Sequence, residues 1–167
     1  ASNHYSAYYT QDSIPQLVYL VYQHSVTDFI VFHFEDSLHV EQFSKPTTVK
    51  TRMGEFVIET SLWNAIVGAD MNMALALQLS DVYAWTVDFF GLQKGDRFRV
   101  LYEERLCDGE VIAIDTVRYA VFSHDGKEFP MVMFNQRDGG NIWWNDKGES
   151  MRKAFLKAPL NYTRVSS

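Results

Sequence analysis

Asp-Gly pairs punctuate the second half of this sequence at short intervals. Asp108-Gly109, Asp125-Gly126 and the loop Arg137–Gly140 separate runs rich in β-branched and aromatic residues, and Lys147-Gly148 turns again. Asp-Gly between such runs is a strong hairpin signal, because both residues of the tight turn must take a left-handed backbone. The runs are Arg97–Leu106, Val111–His124, Lys127–Gln136 and Asn141–Asp146. They predict an antiparallel β meander of four or more strands.

The first third also reads as β. Gln16–Gln23 and Asp28–Asp36 are short apolar runs joined by His24–Thr27, a hairpin connection, and Ser37–Phe43 alternates as a third strand. Residues 1–13 read as a loose polar lead-in. Lys45-Pro46 breaks the pattern, and Thr47–Ser61 is extended in character, with Gly54 at a turn or bulge.

Between these β regions the period changes. Thr60 or Ser61 can cap a helix over Leu62–Ala69, and Asp70 can cap a longer one over Met71–Phe90. Leu75, Leu79, Val82, Thr86 and Phe89 line one face of the second helix, and Gly91 is a natural stop. The expectation is an α+β fold: an antiparallel β meander, a helical hairpin inserted before it, and a small N-terminal β part. In domain terms, residues 1–45 form a partial β subdomain, 46–160 the main body and 161–167 a linker.

Composition narrows the function. The chain has 167 residues and a net charge of -6, which argues against nucleic acid as a partner. No run is apolar enough to span a membrane. Aromatic residues make up 15% of the chain, enough to build a β core. Cys107 is the only cysteine and has no internal disulfide partner.

No catalytic set can be assembled from the residues. His4, His24, His33, His39 and His124 fall in no zinc-binding spacing, so no metal ligand is assigned. His33 and His39 flank an apparent turn and read as strand-edge residues. Asp81, Trp85 and Asp88 fall at i, i+4 and i+7, hence on one helix face. Their carboxylates would lie about 10 Å apart along that face, whereas an acid/base pair faces across its substrate at about 5–9.5 Å. Hydrogen bonding to nearby loops is the plainer role. Glu103 and Glu104 alternate across a strand, so one at most points into any site. No cofactor-binding motif is present.

Surfaces for binding remain. Trp143 and Trp144 are neighbours in a predicted strand, so one faces in and one out. The outward ring could stack on a sugar or a partner, although packing is the plainer reading. Arg152, Lys153 and Lys157 make the tail locally basic. That charge could meet an anionic wall polymer, and a solvated linker is the plainer alternative.

Two stretches carry a resemblance. "SDVYAWTVDFFGLQKGDRFRVLYEERLCDGE" (Ser80–Glu110) and "GESMRKAFLKAPLNYTRVSS" (Gly148–Ser167) resemble the region preceding the catalytic domain in envelope zinc metallopeptidases of the lysostaphin (LytM-domain) type. The resemblance is nearest to multidomain members from Bacteroidetes-like Gram-negative bacteria. In that family an Arg-Ile/Val-Ser-Ser stretch leads into the peptidase domain, whose zinc ligands are a His, a paired Asp and a later His-x-His. The sequence reaches Ser166-Ser167 before any of these, so no ligand is carried over.

The resemblance implies a zinc-dependent peptidoglycan endopeptidase as parent, located in the cell envelope or periplasm. It implies that this chain is a regulatory or scaffolding region, inactive alone, whose partner is its own catalytic domain and whose zinc is held only there. A peptidoglycan-binding module acting through exposed aromatics is the alternative.

Overall fold

The computed structural model describes residues 4–35, 37–84, 87–89, 91–137 and 142–150. Nine strands and two short helices are found among them, and the chain divides into two compact units.

The first unit comprises Ala1–Val49 together with Arg105–Ile112. Its sheet contains β1 (His4–Tyr9), β2 (Leu17–Gln23), β3 (Asp28–His33) and β4 (His39–Ser44), in that order. Each neighbouring pair is antiparallel. Asp28 fixes the expected connection at His24–Thr27. Its Oδ2 accepts hydrogen bonds from the hydroxyls of Ser25 at 2.7 Å and Thr27 at 3.1 Å. Its Oδ1 accepts from the Ser44 hydroxyl of β4 at 2.7 Å, which locks the register across the sheet edge.

The expected lead-in contains a strand. β1 has no clean apolar alternation, and all of its side chains are exposed. Backbone pairing to β2 holds it, and Tyr5 stacks on its cross-strand partner Tyr22 with ring centroids 4.9 Å apart. Within β1–β4, Val18 alone is fully buried, while Tyr5, Tyr8, Tyr9, Val40 and Phe43 are exposed.

The second unit comprises Lys50–Glu104 and Ala113–Ser167. Its sheet runs β5 (Thr48–Val57), β6 (Arg97–Cys107), β7 (Glu110–His124), β8 (Lys127–Met133) and β9 (Trp143–Trp144), paired in chain order. The predicted Asp-Gly turns are present. Asp108 and Gly109 have φ of 53° and 86°, and Asp125 and Gly126 have 47° and 71°, the left-handed pairs that a type I′ turn requires.

Helices α1 (Leu62–Gly68) and α2 (Ala74–Tyr83) connect β5 to β6. Ser61 caps α1 by accepting from the Asn64 backbone N–H. Ile66, Leu75, Leu79, Val82 and Tyr83 pack against Phe56, Phe98, Val100, Tyr102, Phe122 and Met131 of the sheet. Each fully buried side chain of this size contributes about 1.5–3 kcal/mol. The aromatic centre is tight: Phe98 and Phe122 stack at 4.7 Å, and Tyr83 meets both edge-on at 6.0 and 6.1 Å.

The α+β reading is corrected. The architecture is mainly β, two antiparallel sheets carrying two short helices, and the helical hairpin is not a layer of its own. The second helix, expected over Met71–Phe90, spans Ala74–Tyr83. Asp70 does not cap it, because its backbone is left-handed with φ 54°. The N-cap is Met73, which makes no side-chain capping bond, and just ahead of it Asn72 Oδ1 accepts from the Ala74 N–H at 2.9 Å. Beyond Tyr83 the sequence turns to aromatic and β-branched residues and Asp88, all weak helix formers.

Candidate functional site

The second unit holds a cleft of about 220 Å³ lined by Val87, Asp88, Gly91, Leu92, Asp96, Phe122, His124 and Phe129. Two elements build it. One is the loop between α2 and β6, the other the hairpin of β7 and β8.

Asp96 sits at the end of that loop and is buried. The loop is pinned to the start of the helical connection from both sides: Ile58 N–H donates to the Asp96 carbonyl at 2.7 Å, and Gly95 N–H to the Ile58 carbonyl at 2.8 Å. The carboxylate then divides its work. Oδ2 accepts from the Gln93 N–H at 2.8 Å, and Oδ1 lies 2.7 Å from Nδ1 of His124. A carboxylate only accepts, so the Nδ1 proton lies on this bond and Nε2 is left as the second functional nitrogen.

Strand periodicity places Phe122 and His124 on one face of β7, with ring centroids 6.0 Å apart. Phe129 is the cross-strand partner of Phe122, and their rings stack at 5.9 Å. The result is an oriented imidazole above an aromatic floor, with Asp88 exposed at the rim. Among the described residues the polar side chains that line this cleft are Asp88, Asp96 and His124, groups that can bind and exchange protons.

A second buried carboxylate lies elsewhere in this unit. Glu104 is almost wholly buried and accepts from Arg52 Nη1 at 3.2 Å, while Glu103, next along β6, faces out and takes a two-pronged bond from Arg118, 3.0 Å at each oxygen. The Tyr102 hydroxyl lies buried beside this pair without a well-formed hydrogen bond. Burial, and then the neighbouring Glu104 charge, push its phenol above the ordinary value.

The residues singled out from the sequence scatter. Asp88 lines the cleft, whereas Asp81 is exposed on α2. Because α2 ends at Tyr83, helical spacing does not relate the two, and the shared-face expectation is corrected. Trp143 is buried in the core. Trp144 is half-buried, and its indole N–H donates to the Phe134 carbonyl at 2.8 Å. Trp85, Arg152 and Lys153 lie outside the described residues.

His33 and His39 are cross-strand partners whose rings stack at 4.1 Å. His33 Nε2 is 3.5 Å from Glu41 Oε2 and is not aligned with it as a hydrogen bond. Among the described residues no group of three or more His, Cys, Asp or Glu side chains is arranged to hold a metal. Asp96 and His124 escaped the sequence reading, because they come together only through tertiary folding.

Comparison with known proteins adds relationships. Over 140 residues the chain is 31% identical to the peptidoglycan DD-endopeptidase ShyC of Vibrio cholerae, a match covering 83% of this chain and 32% of ShyC. The chain is a sequence relative of a peptidoglycan endopeptidase. It spans about a third of that curated relative's length. No protein-family model matches the chain.

Solved structures share the fold. Csd3 of Helicobacter pylori, in its orthorhombic crystal, superposes with a TM-score of 0.63 at 19% identity, over 86% of this chain and 39% of that one. A zinc-containing peptidase from Vibrio cholerae superposes with a TM-score of 0.59 at 14% identity, over 87% of this chain and 44% of the other.

Proposed function

We propose that this chain is a non-catalytic region of a zinc-dependent peptidoglycan endopeptidase of the cell envelope, where it covers or positions the peptidase domain of its parent. The carrying observation is the 31% identity to ShyC, confined to about a third of that enzyme. The open sheet of the first unit supports the reading. A sheet with one fully buried side chain and a row of exposed tyrosines presents an apolar surface of the kind that another protein surface covers. The region precedes the catalytic domain in this reading, and the resemblance of Ser80–Glu110 favours a Bacteroidetes-like parent.

The test uses the parent's peptidase domain, made separately, and release of soluble fragments from purified sacculi. Added chain should slow that release in a saturable way. Unchanged release at saturating chain would refute the covering role. Chelator-sensitive hydrolysis by the chain alone would overturn the non-catalytic reading.

A wall-binding module is the second reading, favoured by the partial exposure of Trp144 beside its buried neighbour. Co-sedimentation with sacculi, lost in Trp144→Ala, would support it over the first.

A further inference from the structure

The two Asp-Gly turns share a backbone and differ in what surrounds the carboxylate. Asp108-Gly109 joins β6 to β7, Asp125-Gly126 joins β7 to β8, and both pairs are exposed and left-handed. Asp108 is engaged, with Lys45 Nζ 2.7 Å from its Oδ2. Asp125 lines a groove with Glu55, Arg97, Arg99 and Glu128. Both arginines of that groove are committed to glutamates, Arg97 to Glu55 at 2.9 Å and Arg99 to Glu128 at 2.7 Å. Among the described residues the Asp125 carboxylate makes no hydrogen bond or ion pair, and the Gly126 N–H has no acceptor. A third pair, Asp138-Gly139, lies outside the described residues.

We propose that Asp125-Gly126 is a spontaneous modification site, where the main chain is rerouted through the Asp125 side chain to give isoaspartate. The reaction needs only water. The Gly126 nitrogen attacks Cγ of the protonated Asp125 carboxyl. The N–Cγ bond forms, the Cγ–OH bond breaks, and the hydroxyl leaves with the amide proton as water. The product is a five-membered cyclic imide. Water then adds to one of its two carbonyls. Cleavage of N–Cγ restores aspartate. Cleavage of the bond from nitrogen to the main-chain carbonyl leaves isoaspartate, with its α-carboxyl free. Nothing is oxidised or reduced, and the mass is unchanged after both steps. Glycine favours ring closure, because no Cβ shields its nitrogen or restricts its backbone.

Lys45 decides between the two turns. A carboxylate held on an ammonium stays ionised and pointed at it, and an ionised carboxyl has no hydroxyl to lose. An exposed pair of this kind is weak, so Asp108 reacts only roughly twofold to fivefold more slowly than Asp125. The product also deforms its surroundings. Isoaspartate adds one backbone methylene to a two-residue turn closed by the cross-strand partners His124 and Lys127. His124 is bonded to Asp96, so the change displaces the cleft from outside it. The inference stands on the turns alone and does not depend on the role proposed above for the whole chain.

The experiment incubates the whole folded chain in warm, mildly acidic buffer for several weeks, beside a sample in urea, and digests both with trypsin. Asp108, Asp125 and Asp138 then fall in separate peptides, 106–118, 119–127 and 138–147. Electron-transfer fragmentation marks the rerouted bond and counts isoaspartate at each position. In the folded chain Asp125 should convert roughly two to five times faster than Asp108. In urea, which removes the Lys45 contact, the two should convert at similar rates. Lys45→Ala should raise conversion at Asp108 in the folded chain to that at Asp125. Asp125→Glu, whose ring would be one atom larger, should leave 119–127 unmodified. Chains carrying isoaspartate at 125 should show shifted His124 imidazole NMR signals. Conversion at Asp108 as fast as at Asp125 in the folded chain would overturn the inference. So would no conversion at Asp125 when folded, a difference that persists in urea, an unchanged rate at Asp108 in Lys45→Ala, or isoaspartate at 125 in Asp125→Glu. Unshifted His124 signals would refute the displacement of the cleft.

Discussion

Asp96 and His124, 28 residues apart in sequence, are joined side chain to side chain by a hydrogen bond of 2.7 Å. The same carboxylate holds the Gln93 amide. Replacing Asp96 by Ala removes both acceptors, so the Gln93 amide and the His124 ring each lose a partner. We expect a loss of about 3 kcal/mol, and about half that for Asp96→Asn, which keeps one acceptor. Urea denaturation followed by tryptophan fluorescence measures it. Equal midpoints for Asp96→Ala and the parent chain would show that the dyad does not hold the loop.

The Arg52–Glu104 pair makes a sharper case. Glu104 is buried, whereas the Arg52 side chain is 38% exposed. Arg52→Ala leaves an uncompensated carboxylate inside the protein. We expect about 2 kcal/mol of destabilisation, below the range for a fully buried pair because Arg52 is partly solvated. The double replacement Arg52→Leu with Glu104→Leu should recover most of that loss. A double variant as unstable as Arg52→Ala would contradict the account.

Trp143 and Trp144 separate by burial. Trp143→Ala opens a hole in the core and should cost about 3–5 kcal/mol. Trp144→Ala loses a hydrogen bond to the Phe134 carbonyl and part of a half-buried ring, so we expect about 1 kcal/mol. Thermal unfolding of the two variants side by side decides it, and equal losses would refute the difference.

Asp28 gives a pH dependence. Hydrogen bonds from the Ser44, Ser25 and Thr27 hydroxyls hold its carboxyl below the ordinary value of 3.8. A depressed folded value means that the contribution to stability is complete above the unfolded value. It fades as pH falls from 3.8 through the lower folded value. Ser44→Ala should move the Asp28 titration midpoint upward, as followed by carboxyl NMR shifts. An unmoved midpoint would place the cause elsewhere.

At Gly54 an added Cβ would overlap the end of the Met71 side chain, with Tyr102 next nearest at 3.7 Å. Met71 is flexible at that end, so Gly54→Ala should cost about 1 kcal/mol, and Met71→Ala in the same chain should remove most of that penalty. Independent, additive losses in a double-mutant cycle would argue against the clash.

Much of the β architecture was readable because its signals are local. Asp108-Gly109 and Asp125-Gly126 carry their turn geometry in two residues, and the strands around them have only to pair in order. The first strand was hidden because Tyr5, Tyr8 and Tyr9 are all exposed, so no apolar alternation marks it. The second helix was overextended because Leu75, Leu79 and Val82 continue in phase into a segment whose aromatic and β-branched residues favour other backbones. The cleft was the least legible part. Asp88 was visible as a carboxylate near an aromatic run, but nothing in the sequence links Asp96 to His124. Their union depends on a loop pinned by backbone bonds to Ile58.

The first unit draws its residues from two places in the chain, and Lys45 reaches Asp108 across that gap with Nζ 2.7 Å from the carboxylate. This interleaving governs how the protein can be taken apart. An expression boundary after Val49 would leave a sheet deprived of the hairpin tip that belongs with it, and would send that tip out on the remaining piece with nothing to meet. Separating the two units for assay therefore calls for trimming and reconnecting β6 and β7 with a new short turn below the tip, and for supplying the tip anew to the first unit.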